Sequence, residues 1–169
     1  MIKEQDCNIM ALLHRQNKAL KFLSTCIVKY LESRIFSLDY KMIADDLLNL
    51  TGAFCCLINT FDSDKRVFIT EAMSVQGGVN EELTQALGFD PVGCKWKSSE
   101  DILRKASAHE LTKINGLYSL FLKQIPQEVC LMIEEKYNIG NIYSAILNYD
   151  GKILGQIFLI MTKQMGLED

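Results

Sequence analysis

Two β-rich apolar segments far apart in the chain most constrain how it can fold. Residues 53–60 are apolar almost throughout, which is expected of a central strand covered on both faces. Residues 141–162 predict a hairpin, because Asp150-Gly151 is a strong type I′ turn signal between two β-rich runs. The second arm, residues 153–161, is also apolar and is predicted to be central. The first segment therefore opens a sheet over residues 38–164 and the hairpin closes it.

The segments around the first strand predict a helix and a partner strand. Ser37 is a suitable N-cap for a helix that Gly52 would end. Residues 61–65 are rich in turn formers, so residues 66–75 are expected to return as the second strand of a hairpin.

Short helices and irregular chain are predicted between the two hairpins. Asn80 can cap a helix that Gly88 ends, and residues 91–96 suit a short edge strand. Ser98 opens a further capped helical piece that continues to about Ala106.

The segment before the last hairpin predicts one more helix. Residues 111–122 are ambiguous between strand and loop, while Pro126 suits the first turn of a helix that Gly140 would end. This order predicts an α+β fold, with an antiparallel sheet, helices on one face and an irregular cover on the other.

The N-terminal residues 1–36 carry a helical seam at alternating spacings of three and four, consisting of Met10, Leu13, Asn17, Leu20, Ser24, Ile27 and Leu31. The seam is compatible with an amphipathic helix packed on its own domain or with a parallel dimer helix. Asn17 at a core position would cost stability but could fix register and oligomeric state.

Composition narrows the classes of function. The formal charge of −3 and the pI near 5.5 provide no basic field, so nucleic acid is not an expected partner. No apolar run approaches the roughly 18–20 residues that span a bilayer, and the N-terminus lacks the apolar segment of a signal peptide. A cytoplasmic location is expected.

Six cysteines are present without a C-x-x-C pair, and neither His14 nor His109 is near one in sequence. Zinc sites normally have paired ligands at short spacing. Most of these thiols lie in apolar segments, which favours free cysteines that behave as small hydrophobic side chains.

Several segments resemble GAF domains, and together they cover residues 38–164. They are LLNLTGAFCCLINTFD at 47–62, FITEAMSV at 68–75, ALGFDPVGCKW at 86–96, IPQEV at 125–129, KYNIGNI at 136–142 and GKILG at 151–155. The resemblance is to the sensory domains found beside PAS modules in microbial histidine kinases and diguanylate cyclases.

The resemblance implies a central antiparallel sheet of five or six strands with a pocket under irregular connections. It also implies two-component signalling, a homodimer, and a kinase or cyclase output domain in the parent chain. GAF domains usually end in a long signalling helix, but this sequence stops at Asp169, where that helix should begin. Residues 37–169 are therefore expected to be a sensor domain without that helix, either as a fragment or with the first helix alone in its place.

The resemblance also directs attention to pocket residues. The candidate ligand-binding residues are Cys56, Cys94, Trp96, Tyr118 and Phe121. The aromatic side chains could form apolar walls, and alternation along a strand requires either Cys55 or Cys56 to face the pocket. Because some GAF sensors hold haem or another tetrapyrrole through cysteine or histidine, Cys94 with His109 is one arrangement that could do so. The alternative is an ordinary core under a loop.

Three common enzymatic motifs are absent from the sequence. Gly77-Gly78 lacks the lysine that a P-loop requires, and neither G-x-S-x-G nor H-E-x-x-H occurs. The sequence therefore predicts a non-catalytic sensory domain that binds a small molecule. Two alternatives remain open: a dimerisation scaffold without ligand, and a GAF-type redox enzyme that acts on free methionine sulfoxide through its cysteines.

Overall fold

The computed structural model describes Leu20, Lys21, Ser24 and residues 38–98 and 111–164. The chain divides into two compact units, residues 1–39 and 40–169. In the first unit, Leu20, Lys21 and Ser24 are helical and exposed. The other residues of the predicted seam, including Leu13, Asn17, Ile27 and Leu31, lie outside the described residues, as do Ser37 and His109.

The second unit contains four described helices and six strands. In chain order they are α1 (Tyr40–Thr51), β1 (Cys55–Asp62), β2 (Val67–Val75), α2 (Asn80–Leu87), β3 (Lys95–Lys97), β4 (Leu111–Ile114), α3 (Gly116–Leu120), α4 (Gln127–Lys136), β5 (Ile139–Tyr149) and β6 (Lys152–Thr162). A 3₁₀ turn, Gln76–Gly78, joins β2 to α2.

The six strands form one sheet in the order β3-β2-β1-β6-β5-β4, and all neighbouring pairs are antiparallel. The two apolar runs predicted to be central, residues 53–60 and 153–161, fall largely in β1 and β6, which lie side by side at the centre. Their central position explains their composition, because both faces of each strand are covered. The predicted α+β fold with a central antiparallel sheet is confirmed.

One face of the sheet is covered by α1. Ala44 is fully buried there and packs with a cluster that includes Cys56, Ile58 and Met161 from the sheet. Ile43 and Leu47, one turn apart, complete the apolar side of the helix.

The other face carries a larger apolar cluster that includes buried residues of α2, α3 and α4. Leu83 and Leu87 come from α2, Leu117 from α3, and Cys130 and Ile133 from α4. The cover predicted as irregular thus contains three short helices, so helices lie on both faces of the sheet.

A β-bulge in β2 decides which side chains face this second cover. Ile58 of β1 pairs with Ala72, but the next residue, Asn59, pairs with Thr70, which leaves Glu71 as an extra residue in β2. Because strand side chains alternate between faces, one extra residue reverses the alternation beyond it. Glu71 instead accepts a 2.6 Å hydrogen bond from the hydroxyl of Thr60.

The turn and the helix ends that were predicted at glycine are confirmed where that glycine has a positive φ. Asp150 and Gly151 have φ values of 50° and 70°, as a type I′ turn requires. Gly52 follows α1, and Gly88, with φ of 80°, ends α2.

Two predicted helix boundaries are wrong. Asn80 does not cap α2: it is the first helical residue, and its Oδ1 atom makes no hydrogen bond. Gly140 does not end α4, which stops at Lys136, because Asn138 adopts a positive φ and β5 already begins at Ile139.

The region left ambiguous at residues 111–122 contains both β4 and α3. The predicted helical piece from Ser98 to Ala106 lies outside the described residues after Ser98 itself.

Candidate functional site

A partly enclosed cavity of about 320 Å³ lies between the sheet and the residues of α3 and just after it. Its described lining is Leu57, Asn59, Phe68, Thr70, Trp96, Thr112, Lys113, Ile114, Asn115, Ser119, Leu120, Phe121, Leu122, Ser144, Ile146, Gln156 and Phe158. Its volume is at the small end of the range of about 300–1,000 Å³ that is typical of ligand pockets.

The floor of the cavity contains four buried polar residues: Asn59 of β1, Thr70 of β2, Ser144 of β5 and Gln156 of β6. Buried polar groups are costly in an apolar sheet unless they have hydrogen-bond partners. Among the described residues, the only other buried polar side chain, Ser74, lies on the α1 face and bonds to Asp45. The concentration of four such groups at one cavity marks it as the candidate site.

Strand geometry brings these four groups together. Asn59 and Gln156 are direct cross-strand partners in β1 and β6, and Gln156 is opposite Ile146 in β5, two residues from Ser144 on the same face. Thr70 joins them because the β2 bulge places it, rather than Glu71, opposite Asn59.

Hydrogen bonds satisfy most of the floor but leave one acceptor without a partner. Gln156 donates from Nε2 to the Oγ of Ser144 at 2.7 Å, and Trp96 donates from Nε1 to the Oγ1 of Thr70 at 2.9 Å. The Oδ1 atom of Asn59 is buried without any hydrogen-bond partner. Such an atom carries a desolvation cost of about 1–3 kcal/mol that a bound donor would remove.

The walls of the cavity are aromatic. Trp96 and Phe121 are in contact, with ring centroids 5.3 Å apart, and Phe68 and Phe158 contribute from the sheet. Lys113, an exposed residue of β4, is the only charged side chain in the described lining. The described lining therefore combines aromatic walls with a floor that is polar but neutral.

The structure brings together two of the five sequence-predicted ligand residues, Trp96 and Phe121, in the cavity lining. Tyr118 is partly buried against the adjoining apolar cluster and is not part of that lining. Cys94 is partly exposed, and its thiol donates to the backbone carbonyl of Asp90 at 3.1 Å, also away from the lining.

Cys56 lies on the opposite face of the sheet, in the cluster beneath α1. Cys55 is the member of the pair on the cavity side, where it belongs to the core beside the site but does not line it. Alternation correctly implies that the two thiols face opposite ways, but only the position of α1 decides which way each one faces.

Burial suppresses the reactivity of both adjacent thiols. Burial, and then the neighbouring Cys56, raise the pKa of Cys55 far above its usual value. Burial, with a smaller contribution from Asp45, raises the pKa of Cys56 to about 12. Because the thiolate is the nucleophile, neither group is poised for thiol chemistry.

Sequence reasoning missed the four polar residues of the floor. A signal was present, since Asn59, Ser144 and Gln156 interrupt strands that are otherwise largely apolar. Thr70 could not have been found in this way, because its orientation depends on the bulge at Glu71.

The site does not fit a haem or another tetrapyrrole held through a side chain of the described lining. Neither cysteine nor histidine occurs in that part of the lining, and the Cys94 thiol is engaged with Asp90. Within residues 38–98 and 111–164, no group of three or more His, Cys, Asp or Glu side chains could hold a metal ion. No helix among the described residues is long and apolar enough to cross a membrane.

No family model matches this sequence, and no curated protein matches it. Solved structures do match its fold. The chain is similar to the GAF domain of Acinetobacter phosphoenolpyruvate-protein phosphotransferase, with a TM-score of 0.57, 16% identity and coverage of 90% of this chain and 82% of that one.

Two chromophore-binding domains are also similar. The domain from an R. palustris bacteriophytochrome has a TM-score of 0.57, with 9% identity and coverage of 90% of this chain. The domain from Stigmatella aurantiaca phytochrome P1 has a TM-score of 0.52, with 14% identity and coverage of 88% of this chain. This chain spans 55% and 54% of those two structures, respectively.

The six-stranded antiparallel sheet and these similarities show that the chain has a GAF-like fold, as the sequence predicted. At these identities the similarity establishes the fold alone. The chemistry of the site has to be argued from its own residues.

Proposed function

We propose that this chain is the sensory domain of a signal-transduction protein and that it binds a small molecule in the cavity. The observation that carries the proposal is the unpartnered, buried Oδ1 of Asn59 in a floor of polar groups beneath aromatic walls. A packed scaffold has no need for an unpaired acceptor beside an open volume, whereas a binding site does.

Ligand binding in the cavity would act on both covers of the sheet. The lining includes β1 and β6, which also carry the cluster packed against α1. A ligand with different affinities for two arrangements of these layers would shift their populations. In this proposal the shift passes to an output module in the parent protein, either a histidine kinase or a diguanylate cyclase.

The dimeric state belongs to the same proposal. The seam from Met10 to Leu31 would pair two copies in parallel, and Asn17 would set the register. Sedimentation of the full chain tests this part: Asn17→Leu should stabilise the dimer. An unchanged mass and melting temperature would show that the seam packs within one chain.

Thermal-shift measurements against nucleotides, amino acids and haem test the sensory function. A ligand that occupies the cavity should raise the melting temperature by mass action and should lose its effect in Ser144→Phe, which fills the floor. Asn141→Ala, in β5 but outside the described lining, is the control and should retain the effect. A flat response from every class would count against ligand sensing and favour a scaffold.

A further inference from the structure

The unpartnered acceptor of Asn59 also restricts what the ligand can be. Asn59 is only 5% exposed, and its Oδ1 can be satisfied only by a group that donates a hydrogen. We propose that the cavity binds a neutral, planar cyclic amide whose ring N–H donates to Asn59 Oδ1. This inference rests on the proposed function.

The neighbouring hydroxyls explain why an amide suits the floor better than an amine. The oxygen of Thr70 already accepts from Trp96, and the oxygen of Ser144 accepts from Gln156, so each hydroxyl keeps one hydrogen to donate. A ligand carbonyl beside the donating N–H can accept from these hydroxyls. The floor thus presents an acceptor and donors side by side, which is the complement of a cyclic amide.

The lack of charged groups at the floor favours a ligand with a neutral head group. None of the four floor residues is ionisable, and Lys113, the one charged residue of the described lining, is exposed. A carboxylate placed at the floor would face the lone pairs of Asn59 and would lack a compensating cation. If the ligand carries a negative charge, that charge must lie at the side of the cavity near Lys113.

The aromatic walls of the cavity favour a flat ligand. The indole of Trp96 is held by the hydrogen bond to Thr70 and by contact with Phe121, so its orientation is set before a ligand arrives. Aromatic walls favour offset or edge contacts with a ring. The volume of about 320 Å³ accommodates a bicyclic ring system.

Three probes of nearly equal size test this inference by ligand-observed NMR titration of the full chain. They are 2-quinolone, which has the ring N–H, its N-methyl derivative, which does not, and quinoline-2-carboxylate, which is charged. We expect 2-quinolone to bind about tenfold or more tightly than the N-methyl compound, because one hydrogen bond to a buried acceptor is lost. The carboxylate should bind weakest.

The variant Asn59→Leu provides the decisive comparison. It removes the acceptor, so 2-quinolone should lose its advantage over the N-methyl compound, whereas Asn141→Leu, the same change at a β5 position outside the described lining, should keep the wild-type preference. The melting temperature of empty Asn59→Leu should equal or exceed that of wild type, because an unpaired buried polar atom has been removed. This control separates a loss of recognition from a loss of folding.

Equal binding of the N–H and N-methyl probes would overturn the inference, and so would tighter binding of the carboxylate. Either result would leave the proposed sensory function standing, since the cavity would still bind a small molecule. Failure of all three probes would also overturn this ligand class. The proposed function would then fall only if the broader thermal-shift panel gave no response either.

Discussion

The indole Nε1 of Trp96 donates a 2.9 Å hydrogen bond to the Oγ1 of Thr70. Trp96 belongs to the edge strand β3, and Thr70 belongs to β2, the next strand inward. The bond fixes the largest aromatic wall of the cavity against a hydroxyl that the β2 bulge turns toward the same space. An oriented ring and a donating hydroxyl are therefore offered to a ligand by one pair of residues.

Thr70→Val should release Trp96 while keeping the shape of the side chain. The variant leaves the indole N–H without its partner, which should cost about 1–3 kcal/mol of unfolding free energy. Trp96 is the only tryptophan in the chain, so its fluorescence emission should shift to the red as the ring becomes more hydrated. Thr70→Ser, which retains the acceptor, should keep the wild-type spectrum; an unchanged spectrum in Thr70→Val would show that packing alone holds the ring.

On the other face, Asp45 of α1 accepts hydrogen bonds from Ser74 of β2 and from Lys41. Burial acts to raise the pKa of Asp45, but these bonds and the charge of Lys41 outweigh it and lower the pKa below its usual value. A carboxyl with a lowered folded-state pKa stabilises the fold above its unfolded pKa, and the contribution is lost as the pH falls through the folded value.

A double-mutant cycle of Asp45→Ala and Ser74→Ala should therefore give a coupling energy of about 0.5–1.5 kcal/mol at pH 7. The value should lie at the low end, because the carboxylate is 46% exposed and screened by solvent. Denaturant unfolding at pH 7 and in acid measures it. The coupling should decrease in acid, and a coupling that is independent of pH would exclude the ionised carboxylate as its source.

Gly155 of β6 allows β1 to approach closely beside the cavity floor. A Cβ at this position would lie 2.2 Å from the carbonyl oxygen of Asn59, so Gly155→Ala must push the two central strands apart. We expect a loss of about 3 kcal/mol in chemical unfolding. Gly151→Ala is the control, because it meets no atom within 4 Å and costs about 1 kcal/mol through its positive φ. Equal losses would contradict a steric role for Gly155.

The described cysteines should differ in their reaction with a disulfide reagent at pH 8. Cys55, Cys56 and Cys130 are buried, and burial is the main cause that raises the pKa of each. In a Cys7→Ser/Cys26→Ser background, the partly exposed Cys94 should react first, and the other three only at the rate of unfolding. Fast labelling of Cys55 or Cys56 in the folded protein would contradict this prediction and would support the alternative of a redox enzyme that acts on free methionine sulfoxide.

The sequence predicted most of the sheet because local rules decided those elements. Alternating and continuous apolar runs marked β1, β2 and the β5–β6 hairpin, and Asp150-Gly151 specified the turn through its backbone geometry alone. The boundaries at Asn80 and Gly140 were missed because capping residues act only where the surrounding chain permits. At Gly140, Asn138 reverses the chain earlier and the glycine enters β5.

The sequence by itself determined the order of the described elements outside residues 111–122, the central position of β1 and β6, and the aromatic character of the walls at Trp96 and Phe121. Only the tertiary structure decided the cavity floor, because the faces of adjacent strand residues are interchangeable until the covering helices are placed. The position of α1 turns Cys56 away from the cavity, and one unpaired residue, Glu71, turns Thr70 toward it. The physical reason is that a strand alternates its side chains, so a bulge reverses the facing of the residues beyond it in that strand, and the placement of a covering helix decides which face becomes the cavity side.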